Sequence, residues 1–196
     1  MYAEGQERFL YDLMVRFDGE TTWHIRTDGC KVYRKTAGAE QEQLVAFGIP
    51  YDEEDSAKDF VREVRNDPLL APAVSIAVSS SYAAEALERW RHPIAGMYVS
   101  SASYLPVLLS KLEPLAIEIR GEQRHLSQVA RMDSLECAVI SYYSSSDTVP
   151  WNNVWVKELD GLPNLKTLDF YGRGVIDDFD LFSGFTNLEH LKIRLT

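Results

Sequence analysis

The feature that most constrains how this chain can fold is a short apolar pattern that recurs along it. The segments Leu162–Phe170 and Phe185–Ile193 both read apolar-x-x-Leu-x-x-Leu-x-apolar, and four earlier segments follow the same spacing less strictly. The last apolar positions of the six segments are separated by 21, 20, 21, 30 and 23 residues; they are Val78, Val99, Ile119, Ile140, Phe170 and Ile193. Such spacing predicts repeated strand-containing units that bury their apolar faces against one another.

This pattern resembles the leucine-rich-repeat family over residues 69–196, most closely over 162–193. The resemblance implies an α/β fold in which about six repeats form a solenoid with parallel strands. One departure is that the asparagine found after the strand in that family is absent, with Gly172 or Ser141 nearby instead. The alternative is an ordinary α/β domain in which strands and helices alternate.

Residues 1–68 do not follow the recurring apolar pattern. They are expected to form a separate small α+β domain with the order ββββα. The helix is expected to be capped by Asp55 or Ser56 and to end at Asn66-Asp67-Pro68. Asp28-Gly29 is a hairpin turn signal between two of the strands. The four expected strands are Phe9–Val15, Thr22–Thr27, Cys30–Arg34 and Gln43–Ile49.

This order, with the Trp23-x-Ile25 strand, the Asp28-Gly29 turn and a Tyr33-Arg34 strand before an acid-capped helix, resembles the WGR domain. WGR domains are sheet-plus-helix modules that contact DNA in poly(ADP-ribose) polymerases and also occur in bacterial proteins. The defining Trp-Gly-Arg is absent here, and Tyr33-Arg34-Lys35 stands near its place. The DNA contact of that motif therefore does not carry over to this chain.

Composition and charge argue against several functions. With 20 basic and 30 acidic residues the net charge is −10, which opposes binding to nucleic acid. No secretory signal or membrane-length apolar run is present, so we expect a cytoplasmic protein without a membrane partner. The two cysteines, Cys30 and Cys137, are expected to be reduced and to form neither a disulfide nor a zinc site.

Motifs for catalysis or for a metal are also missing from the sequence. The four histidines have no ligand partner at metal-binding spacing, and Asp177-Asp178-Phe179-Asp180 lacks the glycine and glutamate of an EF-hand loop. Neither a phosphate-binding glycine loop nor a Gly-x-Ser-x-Gly elbow occurs. The expectation is a protein that is not an enzyme and needs no cofactor or metal.

The repeat does indicate where a partner would bind. Side chains alternate along a strand, so the residues between the apolar positions line the open, concave face of the solenoid. Tyrosine, arginine and other charged residues there favour a non-catalytic protein-interaction module; the alternative is a nucleic-acid-associated protein that uses the WGR-like domain. The candidate protein-binding residues are Tyr98, Glu118, Arg120, Thr167, Asp169, Tyr171, His190, Lys192 and Arg194.

Two further expectations concern the last repeats. Leu165, Leu168, Leu188 and Leu191 should be buried, and the C-terminal repeat should form a weak homodimer or be covered by a partner, the alternative being a monomer with a frayed strand. The long step before Phe170 contains an insert with Trp151 and Trp155, which form either a contact loop or the buried side of a helix.

Overall fold

The computed structural model describes residues 23–50, 53–108, 112–121, 127–142, 157, 159, 161–172 and 179–195. The expected strand Phe9–Val15 and the aromatic insert with Trp151 and Trp155 lie outside these residues. The fold is α/β with a mostly parallel sheet, and the chain divides into two compact units, Met1–Tyr98 and Val99–Thr196. Within each unit, consecutive strands of the chain lie side by side in the sheet.

The described part of the first unit is a small sheet with two α-helices. Antiparallel pairing joins β1 to β2 and β2 to β3, whereas β3 pairs with β4 in parallel. In chain order the elements are β1 (Trp23–Asp28), β2 (Lys31–Thr36), β3 (Gln43–Gly48), α1 (Glu54–Arg65), β4 (Leu70–Val78), α2 (Ser81–Ala86), a 3₁₀ helix (Leu87–Arg89) and β5 (Ile94–Val99).

The second unit repeats a strand with a short connecting segment. Parallel pairing joins β6 to β7, β7 to β8 and β8 to β9. Its described elements are a 3₁₀ helix (Ala102–Tyr104), α3 (Leu105–Leu108), β6 (Ala116–Gly121), a 3₁₀ helix (Ser127–Arg131), β7 (Cys137–Tyr142), β8 (Thr167–Gly172), a 3₁₀ helix (Phe179–Phe182) and β9 (His190–Leu195).

The sequence predicts the described part of the front segment closely. The hairpin between β1 and β2 turns at Gly29, whose φ of 57° is in the left-handed region that glycine tolerates best. Helix α1 begins at Glu54, earlier than expected, and Glu53 at its N-cap makes no side-chain capping bond, so neither Asp55 nor Ser56 caps it. The expected domain boundary at residues 68 and 69 falls between α1 and β4, inside the first compact unit.

The connecting helices are shorter than the apolar periodicity predicts. That periodicity favours one helix over Tyr82–Trp90 capped by Ser81, but α2 has six residues and gives way to a 3₁₀ turn. Its cap is Ser80, whose Oγ accepts a hydrogen bond from the backbone N–H of Ala83 at 3.1 Å. In the second unit, Leu105–Leu108 forms a single α-helical turn. One repeat of about 20 residues must contain a strand and the two turns that lead to the next parallel strand. Little length therefore remains for a helix.

Helix α1 packs on the sheet of the first unit through an apolar stripe. Ala57, Val61 and Val64 are buried at the spacing of one helix face. The Phe47 ring on β3 lies 6.1 Å from the ring of Phe60 and 5.4 Å from that of Trp90, measured between centroids. These tilted aromatic contacts join α1, β3 and the end of the α2 segment in one core.

Polar groups tie the same helix to β2. The Lys31 ammonium lies 2.6 Å from the Glu63 carboxylate, and the Tyr33 hydroxyl is 3.3 Å from Asp67 Oδ2. Burial alone lowers the pKa of Lys31, but the hydrogen bond to Glu63 and the nearby Tyr33 and Asp67 outweigh it, so the pKa is raised. Burial and the Asp67 carboxylate together raise the pKa of Tyr33. Both side chains therefore keep their protons at neutral pH.

In the second unit, strands β7, β8 and β9 each begin with the same pair of backbone hydrogen bonds to the preceding segment. Two successive N–H groups at the start of one strand donate to a single carbonyl at the start of the preceding strand. The receiving carbonyls belong to Leu115, Glu136 and Lys166. The donors are Glu136 and Cys137 (2.7 and 3.2 Å), Lys166 and Thr167 (2.9 and 3.1 Å), and Glu189 and His190 (2.8 and 3.0 Å).

A row of polar side chains reinforces these entries. Each of Ser134, Asn164 and Asn187 stands three residues before the first residue of its strand and donates to a backbone carbonyl of the preceding segment. The acceptors are the carbonyls of Pro114 at 3.1 Å, Asp133 at 2.8 Å and Pro163 at 2.7 Å, respectively. The Asn-Leu pair that the two clearest sequence segments share thus has a physical role, which is to join successive segments.

Most described core positions of the second unit are buried; the exceptions are Leu115, which is 46% exposed, and positions of the last repeat. Leu165 and Leu168 are 1% and 0% exposed, which confirms those two predictions. The prediction for Leu191 is wrong, because this side chain is 42% exposed, and Leu188 is half-buried. The cause is that β9 has a described neighbour on one side only, so its apolar residues pack against a single strand.

Leu168 and Leu191 are register partners on β8 and β9, so they form a matched pair for alanine substitution. Leu168→Ala should lower the free energy of unfolding by ~2–5 kcal/mol, because it opens a cavity in a packed core. Leu191→Ala should cost roughly 1 kcal/mol or less, since much of the side chain is already in water. Urea unfolding of both variants measures the difference. Equal losses would contradict the burial pattern described here.

Candidate functional site

The strands of the second unit carry their polar residues on one side of the sheet. The side chains of Ile117, Ile119, Ile140, Leu168 and Phe170 are fully buried. Alternate side chains of a strand point to opposite faces, so the residues between these positions share the other face. We call this surface the polar sheet face; its members are Glu118, Arg120, Ser141, Thr167, Asp169, Tyr171, His190, Lys192 and Arg194.

Strand register arranges this face in three rows, each with one residue from every strand. Because all three pairings are in register, side chains of one row are direct neighbours across the sheet. The middle row is Glu118, Val139, Asp169 and Lys192; one flanking row is Ala116, Cys137, Thr167 and His190; the other is Arg120, Ser141, Tyr171 and Arg194. The structure thus brings together eight of the nine candidate residues.

The ninth candidate, Tyr98, does not fit an accessible face. It is the last residue of the first unit and is 8% exposed, so little of its side chain can meet a partner. Strand alternation places Tyr98, Ala116 and Val139 on the face expected to be open. All three are nevertheless buried, and Ala116 and Val139 are 0% and 3% exposed. The accessible part of the polar sheet face therefore lies on its charged and aromatic members.

The outer end of the face combines an aromatic ring with a line of basic side chains. Arg194 lies over the Tyr171 ring, with its guanidinium carbon 4.6 Å from the ring centroid. His190, Lys192 and Arg194 are all exposed on β9, and Asp169 on β8 is the register partner of Lys192. The ring holds the guanidinium of Arg194 by stacking. The N–H groups of a stacked guanidinium lie in its plane and can still donate hydrogen bonds to a partner.

An ion pair stands at the strand entries beside this face. Lys166 Nζ is 2.9 Å from a carboxylate oxygen of Glu136, across neighbouring segments. The hydrogen bond to Glu136 and its negative charge raise the pKa of Lys166. The pair is exposed, so its contribution to stability is small. Its consequence for a ligand is that Lys166 stays protonated throughout the neutral pH range.

Among the residues that the structure describes, no three histidine, cysteine or acidic side chains are grouped so as to hold a metal ion. Within the same ranges, none of the helices is both long enough and apolar enough to span a lipid bilayer. Of the histidine and carboxylate members of the polar sheet face, His190 stands in a flanking row, whereas Glu118 and Asp169 stand in the middle row on either side of Val139.

The first unit contains a pocket that the sequence pattern did not predict. It lies between α1 and the segment from α2 to Trp90, and basic residues stand along its edge. Its signal was present in the sequence, because Lys58, Arg62 and Arg65 recur at the spacing of one helix face. That signal is weak by itself, since a basic stripe on a helix is usually a solvated surface.

Comparisons of the chain with protein-family models, with curated proteins and with solved structures find no match in any of the three. The resemblances to the leucine-rich-repeat family and to the WGR domain therefore stay predictions from sequence.

The stacked pair at the end of the polar sheet face allows a direct energetic check. In a double-mutant cycle, Tyr171→Ala and Arg194→Ala should show a coupling of about 0.5–1 kcal/mol in unfolding free energy, the usual size for an exposed cation–π contact. A control cycle that pairs Tyr171→Ala with Arg131→Ala should show none, because Arg131 is on a 3₁₀ helix before β7. Additivity in both cycles would mean that Arg194 is not held by the ring in solution.

Proposed function

We propose that this chain is a non-catalytic protein-interaction module and that the polar sheet face binds its partner. The observation that carries the proposal is the in-register placement of charged and aromatic side chains on three parallel pairs of strands. A sheet is a rigid platform, so a partner need not pay to order these side chains one by one. Tyrosine and arginine, the residues at the outer end of the face, are enriched at interaction hot spots.

We also propose that the second unit is a leucine-rich-repeat stack and that the polar sheet face is its concave surface. The strand-entry bonds to Leu115, Glu136 and Lys166 support this, because the same backbone geometry returns in successive segments. The polar row of Ser134, Asn164 and Asn187 supports it in the same way. In this proposal the interaction surface grows by one residue in each row for every repeat.

The charges of the face favour a particular kind of partner. On β9 the exposed residues His190, Lys192 and Arg194 make the outer end of the face basic, in a chain whose net charge is −10. Carboxylates of a partner protein can pair with these side chains and approach the Tyr171–Arg194 stack. Such charge complementarity fixes orientation and speeds encounter, and its effect decreases as ionic strength rises.

The proposal is tested by affinity capture with the full chain and two variants. Wild type and the control Lys35→Ala, an exposed cation of β2, should retain the same protein from a lysate. Tyr171→Ala/Arg194→Ala should retain about tenfold less, the loss expected for hot-spot residues. Retention that is equal for all three baits would exclude this face as the binding surface. Duplex DNA is added as a competitor, and displacement by it would favour the nucleic-acid-associated alternative.

We further propose that the last repeat supports a weak homodimer. Leu191 is 42% exposed, and Phe185, Leu188 and Ile193 are half-buried, although the residues at equivalent places in the preceding segment are buried. A second copy that packed on these side chains would remove them from water, and like ends pair around a two-fold axis. The exposed Lys192 on the same strand limits the strength of such pairing.

Sedimentation velocity over a wide concentration range tests the homodimer. The wild type should move from monomer to dimer as concentration rises, because apolar area on β9 is buried between copies. Leu191→Lys should stay monomeric, since it places a charge at the centre of the contact, whereas Lys35→Ala should dimerise like the wild type. A wild-type protein that is monomeric at every concentration would disprove this part of the proposal.

A further inference from the structure

The first unit contains a pocket of approximately 360 Å³ between helix α1 and the segment from α2 to Trp90. Small-molecule sites are typically about 300–1,000 Å³, so this volume suits a compact ligand. The pocket lies within a single unit, on residues of well-packed elements. Its walls include Lys58, Arg62 and Arg65 from α1 and Glu88, Arg89 and Trp90 from the facing segment.

The pocket has an apolar floor and a charged rim. The floor residues Val61 and Trp90 are 6% and 1% exposed, whereas the charged lining residues are all exposed. The indole of Trp90 is fixed by its neighbours, with its ring 5.4 Å from that of Phe47 and 5.9 Å from that of His92 between centroids. A ligand would therefore place an apolar body against a rigid floor and a polar group at the rim.

The rim is basic although the chain as a whole is acidic. Four cations and the two carboxylates of Glu85 and Glu88 line the pocket, which leaves a net charge of +2 in a chain of net charge −10. Two of the cations have partners along α1, because Lys58 is paired with Glu54, and Arg62 lies 2.7 Å from Asp59.

The remaining two cations of the rim are Arg65 and Arg89, which stand on opposite walls of the pocket. Neither forms an ion pair with any residue in the described part of the chain. Both guanidinium groups are exposed, so their N–H donors are available to an anion that enters between the walls.

The floor of the pocket offers an apolar surface only. The indole Nε1 of Trp90 is buried and has no hydrogen-bond acceptor among the residues that the structure describes. A buried N–H without an acceptor is unfavourable, and native proteins nearly always satisfy such groups. The accessible area of this nitrogen is below 1 Å², so Trp90 contributes to the pocket through its ring and not through its N–H.

We propose that this pocket binds a small organic phosphate monoester. Arginine guanidinium groups bind phosphate through paired, charge-assisted hydrogen bonds, and Arg65 and Arg89 supply two of them. A phosphate monoester carries about −1.5 to −2 charges at neutral pH, which matches the net +2 of the lining. A single carboxylate would neutralise half of that charge. The apolar floor of Val61, Ala86 and Trp90 accepts the organic part.

The probes are adenosine 5′-monophosphate, adenosine and inorganic phosphate, measured by titration calorimetry with the full chain. Adenosine 5′-monophosphate should bind, adenosine should bind at least about tenfold more weakly, and added salt should weaken the phosphate-dependent part. Inorganic phosphate should bind more weakly than the monoester, because it leaves the apolar floor empty. A 5′-phosphorylated single-stranded oligonucleotide is a further probe, and tighter binding of it than of the mononucleotide would overturn the proposal in favour of nucleic acid.

Variants separate the pocket from general charge. Arg65→Gln/Arg89→Gln should lose about tenfold or more in affinity for adenosine 5′-monophosphate, because it removes both guanidinium groups. The charge-matched control is Lys35→Gln/Arg131→Gln, which also removes two exposed cations but none from the pocket lining, and it should bind like the wild type. Trp90→Phe keeps an aromatic floor and removes only a buried N–H, so it should bind within a few-fold of the wild type.

Circular dichroism and thermal melts confirm that each variant is folded before its affinity is compared. Equal affinity of the wild type and Arg65→Gln/Arg89→Gln would refute the proposal, as would the absence of binding of any phosphate compound by the wild type. An equal loss in the pocket variant and the charge-matched control would refute it as well, because the effect would then follow net charge alone.

This inference is independent of the proposed protein-binding function, because the two sets of residues belong to different compact units. Variants of Tyr171 and Arg194 should leave phosphate binding unchanged.

Discussion

The paired backbone hydrogen bonds at the strand entries are the constraint on which the second unit depends. Because two N–H groups of each segment share one carbonyl of the segment before it, at Leu115, Glu136 or Lys166, the strands cannot slide past one another without losing both bonds. A slip of one residue would also turn every side chain to the other face, exposing the buried isoleucines and burying charges. The strand register thus determines both which side chains form the core and which form the polar sheet face. A change of register would alter both together.

The same constraint explains why the last described strand differs from the others. Register is transmitted from strand to strand, so β9 takes its place beside β8 as regularly as β8 does beside β7. Burial is not transmitted in this way, since it requires a neighbour on both sides. Leu168 therefore lies in a closed core, while its register partner Leu191 is 42% exposed. A regular backbone with incompletely covered side chains is a natural place for association, and the charges at Lys192 and Arg194 restrain it.

The sequence could predict whatever depends on spacing and local chemistry. The period of the apolar positions placed β6 to β9 and their rows, and Asp28-Gly29 placed the first hairpin, because both signals are local. Features that depend on packing were missed. Leu191 carries the same signal as Leu168, and α2 ends early although Leu87 continues its apolar face. The burial of Tyr98 and the pocket beside α1 depend on which elements meet, which no single segment encodes.

Helix α1 shows how one element can be both core and binding surface. Its buried apolar stripe and the contacts from Lys31 to Glu63 and from Tyr33 to Asp67 hold it against the sheet. Its basic residues at the pocket therefore project from a backbone that is fixed before any ligand arrives. Preorganisation of this kind spares a ligand the entropy loss of ordering the helix, leaving side-chain rotamers as the main adjustment on binding. An element positioned by its own core contacts can thus present cations to a small anion even in a chain whose overall charge repels larger ones.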